Sequence, residues 1–454
     1  GRVENGLDVM KEALEKHIKR MGLEAIEKVA EQASTDAKVF VHTLLEVHTR
    51  YAGLVANSFD NENGFVQALD KAATHFINKN QVTASPDGSS VTKCPELLAR
   101  YCDQMLRKSS RNTEEAELDT MMNRIMIIFK YVEDKDVFQK FYTKMFAKRL
   151  VGDLSASDEA ESNMIAKLKQ SCGFEYTSKM QRMFTDTNLS KDMSERFRDE
   201  CNGSKKLPCD FNIMVLGANS WPTQAPLLLT LPTSLQTCVD RFTQFYDRLH
   251  SGRKLTWVYT QSRGELVSYA WGAGKRYTFM AQTAQMAVLL IFNHATEHTV
   301  GSLATETGLT HAQLMPILVS LVKTELLRVD GTKNTEILSS ATDATKMSLN
   351  PDYSSKKLKV DLSRNIARTE VRQETTEVLQ NVDDTRKLII QAAIVRIMKM
   401  RKKMPHQQLM VEVIQQLNVR FTPKVPMVKK CIDILIDKEY LQRAEGSNNE
   451  YEYI

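Results

Sequence analysis

The sequence lacks the features that typify a membrane protein or a disulfide-stabilised one. No apolar run approaches the roughly 18 residues needed to cross a bilayer, and no stretch resembles a secretory signal peptide. The seven cysteines are scattered without a Cys-x-x-Cys pair, which favours reduced thiols over disulfides or a structural zinc site. We therefore expect a protein of the cytoplasm and nucleus that needs no metal or cofactor.

Helix-breaking residues are also scarce. The chain has 11 prolines and 18 glycines in 454 residues, and residues 1–80 contain no proline. A hydrophobic fraction of 42% and a charged fraction of 26% are typical of a globular protein, and the length suggests about three or four domains. Because the first residue is Gly1 and the chain opens directly into a helical pattern, we interpret the sequence as part of a longer protein.

Positive charge is concentrated towards the C-terminus. The formal net charge is +5, but residues 385–454 alone carry 13 Lys and Arg against 7 Asp and Glu, so the rest of the chain is nearly neutral. An excess of one sign attracts partners of the other sign. We therefore expect the C-terminal segment to meet an acidic surface.

Hydrophobic periodicity predicts helices over most of residues 1–200. Three helices come before residue 80, the polar stretch 78–93 is typical of a linker, and an antiparallel helical bundle follows Pro95. The long amphipathic element that ends at Leu150 has a polar face. That face is predicted to carry Lys140, Lys144, Lys148 and Arg149.

The pattern changes to mixed helix and strand beyond residue 205. Alternating side chains predict a short strand over residues 211–216. Further strands are predicted at 255–259, 265–270, 276–280, 329, 337, 349 and 356–360, and helices at 284–293, 300–307 and 312–326. Three helices followed by a ribbon are typical of a winged helix, so we predict one embedded in this region.

The stretch from Asp384 to Met404 is predicted to form an amphipathic helix that Asp384 N-caps and Pro405 limits. At about 100° per residue, one face collects the apolar side chains. These are Ile389, Ile390, Ala393, Ile394, Ile397 and Met400. Lys399 falls roughly opposite the centre of that face, so its ammonium should point to water. On helical geometry alone, we would interpret it as a solvated surface lysine.

The last residues repeat the winged-helix order. Helices are predicted at 406–417 and 425–438, and a hairpin joins residues 439–441 to 451–453. Two winged helices make nucleic-acid binding the alternative function. Against it, helix 425–438 is dominated by apolar residues, and its Asp433 and Asp437 would repel phosphate.

Two short strings resemble enzyme motifs. His294-Ala-Thr-Glu-His298 matches a zinc-protease pattern, but that pattern needs both histidines one turn apart on a helix, and here a turn is predicted. Gly272-Ala-Gly-Lys275 lacks the full spacing of a phosphate loop and precedes a predicted strand, so we interpret it as a hairpin turn. Neither string predicts catalysis.

Several longer segments carry a resemblance to one family. They are Glu96–Tyr101, Phe141–Leu150, Cys172–Lys179, Ser251–Trp257, Ile394–Lys402, Val428–Arg443 and Tyr451–Tyr453. In residue type and spacing they resemble cullins, and the resemblance extends over essentially the whole chain. The sequence is most similar to the branch of the family that scaffolds SCF-type ubiquitin ligases.

The resemblance implies a mainly α fold with a smaller α+β part. Residues 1–85 would be the end of the last helical cullin repeat, and 86–205 a four-helix bundle. Residues 206–380 would form an α/β domain with an embedded winged helix, and 381–454 a C-terminal winged-helix domain. The repeats that bind the substrate adaptor would precede this sequence.

The resemblance also implies a function without catalysis. The chain would be a scaffold that recruits a RING-box protein and a ubiquitin E2, and it would be activated when NEDD8, carried by its own E2, is joined to Lys399 by an isopeptide bond. A cullin exchange factor would bind it, and an adaptor with its substrate receptor would bind the N-terminal part. We expect no membrane partner and no nucleic acid.

Two further sets of site residues follow from the resemblance. A strand of the RING-box protein would pair with an open sheet edge. That edge is predicted to be Phe211, Asn212, Ile213, Met214, Val215 and Leu216. Basic side chains of the bundle would steer an acidic tail of the E2, although a solvated face explains them equally well. They are Arg107, Lys108, Arg111, Lys144 and Lys148.

Overall fold

The computed structural model describes residues 6–84, 93–108, 114–203, 206–222, 227–271, 276–332, 335–363, 378, 382–444 and 449–454. The chain divides into two compact units: Gly1–Thr185 with Thr375–Ile454, and Asp186–Glu374. The fold is mainly helical with small sheets, as predicted. Across the described ranges, no helix is both long and apolar enough to cross a membrane. The predicted domain boundaries at residues 85, 205 and 380 stay predictions.

The first unit begins with a group of packed helices where three were predicted. They are α1 (Asp8–Lys28), the single turn α2 (Ala30–Ala33), α3 (Ala37–Phe59) and α4 (Asn63–Asn78). Helix α1 packs along α4, and α3 contacts both. The Asp36 carboxylate accepts a hydrogen bond from the Lys38 N–H at 2.9 Å and so caps α3.

Five more helices build the predicted bundle region. They are α5 (Cys94–Met105), α6 (Glu115–Tyr131), α7 (Lys135–Val151), α8 (Asp158–Cys172) and α9 (Phe174–Gly203). Helix α5 packs on α7, and α6 packs on α8. Ser157 caps α8 by accepting from the Ala160 N–H at 3.0 Å.

Arg149 does not lie on the polar face of α7 where the sequence placed it. It is fully buried, and its guanidinium donates two hydrogen bonds to Glu161, at 2.8 and 2.9 Å, and one to Asp103 at 2.7 Å. The prediction was wrong because helical spacing alone does not show that two carboxylates from α5 and α8 meet there. A buried arginine is tolerated only when its donors are matched in this way.

The second unit combines helices with two sheets among its described residues. After α10 (Thr233–Leu249), strands β1 (Arg263–Ser268), β2 (Tyr277–Gln282) and β6 (Lys359–Asp361) form a sheet in the order β1-β2-β6. The embedded winged helix consists of α11 (Thr283–Ile291), β3 (Glu297–Thr299), α12 (Val300–Thr307), α13 (His311–Lys323), β4 (Leu327–Val329) and β5 (Lys346–Leu349). Its strands pair antiparallel in the order β3-β5-β4, so the predicted helix and ribbon order is confirmed.

The first unit ends with the second winged helix that the sequence predicted. It contains α14 (Val382–Arg401), β7 (Lys403–Pro405), α15 (His406–Leu417), α16 (Val425–Asp437), β8 (Leu441–Arg443) and β9 (Glu450–Tyr453). Strand β9 pairs antiparallel with both β7 and β8. A separate apolar core, to which Ile394, Ile397, Leu409 and Ile432 belong, holds the three helices and the sheet together.

Three local predictions were wrong. Asp384 does not cap α14, because the helix already starts at Val382; its carboxylate accepts from Lys387 within the first turn, a position that the helix dipole favours equally. Ile337 lies in a 3-10 turn (Thr335–Ser340), not a strand. Residues 255–258 form neither helix nor strand, and Tyr259 begins a 3-10 turn. Short apolar runs do not distinguish these conformations.

The Arg149 cluster predicts a large effect of one substitution. Arg149→Ala leaves Glu161 and Asp103 without their cation, which should cost about 3–5 kcal/mol of unfolding free energy. Arg20→Ala is the control, because its pair with Glu24 at 3.6 Å is exposed and should contribute less than about 1 kcal/mol. Urea unfolding followed by far-UV circular dichroism measures both, and equal midpoints for the two variants would contradict the prediction.

Candidate functional site

Lys399 lies in the last turn of α14 with its side chain exposed, as predicted. The opposite face of the helix is buried in the winged-helix core through Ile390, Ala393, Ile394 and Ile397. The helix therefore presents the amine to solvent from a base that packing holds rigid.

One residue of the predicted apolar face is misplaced. Met400 is 68% exposed, and Met398 is fully buried in its stead. The reason is tertiary, because strands β7 and β9 pack against the end of α14. They cover the side of the helix that carries Met398.

The backbone at the end of α14 turns sharply beside Lys399. Helix α14 ends at Arg401, and Lys402 adopts a left-handed φ of 64°. That conformation is uncommon for a residue with a side chain, and it reverses the chain into β7. The Lys402 carbonyl then accepts from the Tyr453 N–H at 2.8 Å, which ties the turn to β9.

The three cations that follow Lys399 in the sequence are engaged, and Lys399 is not. Arg401 lies 3.5 Å from Glu412, the Lys402 ammonium lies 5.2 Å from the Tyr453 ring centre, and Lys403 pairs with Glu450 and Glu452. The hydrogen bond to Glu452 raises the pKa of the Lys403 ammonium, which keeps that amine protonated. Among the described residues, Lys399 has no ion pair or hydrogen bond.

A surface groove of about 590 Å³ opens beside Lys399 between α14 and α16. Its apolar wall includes three markedly exposed side chains, Leu388, Met400 and Tyr440. Arg396 and Lys438 add positive charge to the same groove. Contiguous exposed apolar surface is typical of a protein interaction site, and here it adjoins the free amine.

A buried ion cluster, which we call the clasp, joins α14 to the helical bundle. The Arg386 guanidinium donates to both Asp136 oxygens, at 2.7 and 2.8 Å, and to Asp134 at 2.6 Å. The guanidinium carbon of Arg386 also lies 4.7 Å from the centre of the Phe421 ring, and the residue is only 5% exposed. The clasp thus comprises Arg386, Asp134, Asp136 and Phe421, and it fixes the N-terminal part of the lysine-bearing helix against the start of α7.

Neighbouring contacts reinforce the clasp. The Asp136 N–H donates to the Arg420 carbonyl at 3.0 Å, and the Arg420 side chain donates to Glu175 at 2.6 Å. Lys140 donates to the Thr385 hydroxyl at 2.9 Å. Arg386 was not predicted as a functional residue from the sequence. No local signal identified it, because its carboxylate partners come from the start of α7, about 250 residues earlier in the sequence.

In the second unit, residues 211–216 are extended. Only one edge of their backbone forms hydrogen bonds, and its partners are side chains of helix α9. The Val215 N–H donates to the Ser190 hydroxyl at 2.9 Å, and the Ser194 hydroxyl donates to the Ile213 carbonyl at 2.8 Å. The two serines are four residues apart on the helix, a rise of about 6 Å, and their partners are two residues apart on an extended chain, a rise of about 6.7 Å. The two spacings nearly match, so the helix and the segment stay in register. One turn further along the helix, the Arg198 guanidinium donates to the Asn212 side-chain oxygen at 2.8 Å.

The other backbone edge of this segment is open. Successive residues of an extended chain point their N–H and C=O groups to opposite sides. The groups of Asn212, Met214 and Leu216 therefore face away from α9, and within the described ranges they have no hydrogen-bond partner. This is why the predicted strand is extended but belongs to no sheet.

A second segment without helix or strand structure, residues 254–257, shares the same core. Leu255 and Trp257 pack with Phe211, Ile213 and Val215 around an aromatic cluster of α9 and α10. That cluster consists of Phe197, Cys201, Phe242, Phe245 and Tyr246. The backbone of residues 254–257 also makes no hydrogen bond to the described part of the chain. Residues 211–216 and 254–257 thus pack on the same hydrophobic core, and each has unpaired backbone groups.

The structure also locates the basic residues predicted for the bundle. Arg107 donates to Asp103 at 2.8 Å, and Lys108 pairs with Asp153. Lys144 and Lys148 are half-buried on α7, and Arg111 lies outside the described residues. Because carboxylates neutralise two of the five cations, their combined field is weaker than the sequence suggested.

The two enzyme-like strings do not assemble catalytic sites in the described structure. Glu297 and His298 lie in β3, paired with β5, so the two histidines do not sit one turn apart on a helix. No cluster of metal ligands occurs within the described ranges. The four residues from Gly272 to Lys275 connect the antiparallel strands β1 and β2 but lie outside the described residues.

The predicted DNA-recognition helix α16 also lacks a basic surface. Its exposed side chains include Lys429 and Lys430 but also Asp433 and Asp437, so the charges on this face balance. Phosphate binding needs a net positive face. The geometry gives the nucleic-acid alternative no support.

Comparison with known proteins relates the chain to one family along most of its length. Residues 1–194 match the cullin alpha solenoid domain, 215–353 the cullin alpha+beta domain, and 385–447 the cullin protein neddylation domain. The chain is 50% identical to Cullin-1 of Caenorhabditis elegans, 45% to Cullin-1 of Dictyostelium discoideum and 39% to Cullin-1 of Schizosaccharomyces pombe. All of the chain aligns in each case, but it covers only 58%, 59% and 58% of those relatives.

The clasp predicts that one substitution loosens α14. Arg386→Ala leaves Asp134 and Asp136 buried without their cation, which should cost about 3–5 kcal/mol at this contact. Amide hydrogen exchange across residues 382–401 should become at least about tenfold faster. Lys387→Ala is the matched control, because the adjacent residue makes only an exposed pair with Asp384. If both variants exchange like the unaltered protein, the clasp does not hold the helix.

Proposed function

Because the chain belongs to the cullin family, we propose that it is the C-terminal scaffold part of a multisubunit SCF-type cullin-RING ubiquitin ligase. The observation that carries this proposal is the free, exposed amine of Lys399 on a rigid helix inside the segment that matches the neddylation domain. The scaffold itself performs no chemical step. It acts by holding a RING-box protein and a charged E2 at high local concentration.

Lys399 is the acceptor of NEDD8 in this proposal. Its neutral amine attacks the thioester carbonyl of the NEDD8-charged E2, the thioester bond breaks, and the E2 cysteine leaves as a thiolate. The amine loses a proton, and an isopeptide bond remains. The groove beside Lys399 supports the assignment, since its exposed apolar wall gives the carrier a contact surface and Arg396 and Lys438 suit an acidic partner.

The proposal predicts that one amine accounts for the modification. Lys399→Arg keeps the charge but removes the nucleophile, so attachment of NEDD8 by its E1, its E2 and the RING-box protein should fall at least about a hundredfold. Lys403→Arg is the control four residues away, where Glu450 and Glu452 engage the amine. Intact mass and peptide mapping measure attachment. Undiminished modification of the Lys399→Arg protein would refute the assignment.

The RING-box protein docks by strand addition in this proposal. The open edge of Asn212, Met214 and Leu216 offers unpaired backbone groups, and the segment is already extended. An incoming strand would therefore gain hydrogen bonds with little ordering of the scaffold. The second unpaired segment, residues 254–257, lies on the same core and offers the incoming chain a second edge.

Proline substitutions on the open edge and on the edge bonded to α9 should affect RING-box binding and stability differently. Met214→Pro removes an N–H that the fold does not use, so it should weaken RING-box binding at least about tenfold and leave the melting temperature nearly unchanged. Val215→Pro removes the N–H bonded to Ser190 and should lower the melting temperature. Met214→Ala retains the N–H and should bind normally. Calorimetric titration with the RING-box protein measures this, and tight binding by Met214→Pro would contradict strand addition.

Activation by NEDD8 would act through the position of the terminal winged helix. The clasp is the principal buried polar contact that we find between this domain and the bundle. A modifier attached at Lys399 adds bulk at the far end of the same helix and would shift the balance towards a released domain, freeing the RING. Release needs only a difference in free energy between the two positions.

Other partners meet the scaffold elsewhere in this proposal. An acidic tail of the ubiquitin E2 would be steered by Lys144, Lys148 and the remaining basic side chains of the bundle, with the reduced strength that their ion pairs imply. The cullin exchange factor would bind the scaffold, and an adaptor with its substrate receptor would bind the N-terminal part of the protein.

A further inference from the structure

Two cysteines of the second unit lie in contact although they are far apart in sequence. The sulfurs of Cys209 and Cys238 are 3.7 Å apart. Cys238 is buried in the second turn of α10, and Cys209 is half-buried in the irregular segment between α9 and residues 211–216. No other two of the seven cysteine sulfurs form such a contact.

The placement allows these sulfurs to approach further. A disulfide needs about 2.05 Å between the sulfurs, so the gap must close by under about 2 Å. Helix α10 holds Cys238 in place, whereas Cys209 lies outside any helix or strand and its backbone can move.

We propose that Cys209 and Cys238 are a redox-sensitive pair that hydroperoxides convert into an intrachain disulfide. The Cys209 thiolate attacks one oxygen of hydrogen peroxide, the O–O bond breaks, and hydroxide leaves, which makes Cys209 a sulfenic acid. The Cys238 sulfur then attacks the Cys209 sulfur, the S–O bond breaks, and the hydroxide takes up the thiol proton as water. Two thiols and one peroxide thus give one disulfide and two waters.

The environment of each thiol fixes its role. Burial, followed by the contact with Cys209, raises the pKa of the Cys238 thiol to about 11, so this thiol stays protonated and reacts slowly with peroxide. Cys209 is the more accessible member and reacts first. Cys172 is the other half-buried cysteine, but no second cysteine sulfur contacts it, so it has no partner to close a disulfide.

The crosslink would act on the neighbouring extended segment. Cys209 precedes Phe211 by two residues, and Phe211 begins the segment whose outer backbone edge is open. Fixing Cys209 to α10 restrains the start of that segment, so its local opening becomes rarer. This consequence concerns the free chain and does not depend on which partner, if any, the edge binds.

Mass spectrometry under controlled oxidation tests the proposal. The full protein, reduced and then treated with an equimolar amount of hydrogen peroxide, should lose the mass of two hydrogens, and non-reducing peptide mapping should join Cys209 to Cys238. Dithiothreitol should reverse the change. Cys172→Ser should form the same disulfide, and Cys209→Ser should form none. Hydrogen exchange across residues 211–216 should slow at least about twofold on oxidation.

A second variant separates the two chemical steps. Cys238→Ser removes the thiol that closes the bond, so a sulfenic acid should accumulate at Cys209, where a 1,3-dione reagent traps it. Because Cys209 is not in a helix or strand, Cys209→Ser remains informative even if Cys238→Ser fails to fold. The proposal is overturned if peroxide yields only sulfinic or sulfonic acid at Cys209, a disulfide between two chains, or no change at either cysteine.

Discussion

The position of the lysine-bearing helix depends on an arginine that is almost excluded from water. Arg386 donates to Asp134 and Asp136 from another part of the chain, about 250 residues earlier in the sequence, and covers Phe421. Ion pairs of this kind add little net stability compared with an apolar contact, but they are costly to break and tolerate only one geometry. The clasp therefore acts mainly on position, since it admits one packing of α14 against the start of α7.

Whether polar groups have hydrogen-bond partners distinguishes the structural regions from the candidate binding edge. At Arg149 and Arg386, every charged group meets partners at hydrogen-bond distance. Along Asn212, Met214 and Leu216, the backbone groups have no partner among the described residues. Because unpaired backbone groups are unfavourable when covered, an edge of this kind is stable only while water or a second chain occupies it.

Local features were predictable from the sequence, and long-range ones were not. Periodicity gave α12 and α15 their observed bounds, and the alternation over 211–216 gave an extended segment facing a core. Exposure of Lys399 followed from helical geometry. Periodicity could not reveal the buried carboxylates that meet Arg149 and Arg386, because those partners come from other helices. Met400 was misplaced for the same reason, since β7 and β9 decide which side of the last turn is covered.

The two candidate sites constrain the sequence in different ways. At residues 211–216 the fold needs apolar side chains only on the inner face, because the outer edge interacts through backbone groups that every residue except proline supplies. At Lys399 the chemistry needs one particular side chain, whose freedom depends on its neighbours having partners: Glu412 engages Arg401, and Glu450 and Glu452 engage Lys403. The Lys399 amine thus differs from the nearby Lys403 amine in having no partner among the described residues, whereas two carboxylates hold Lys403.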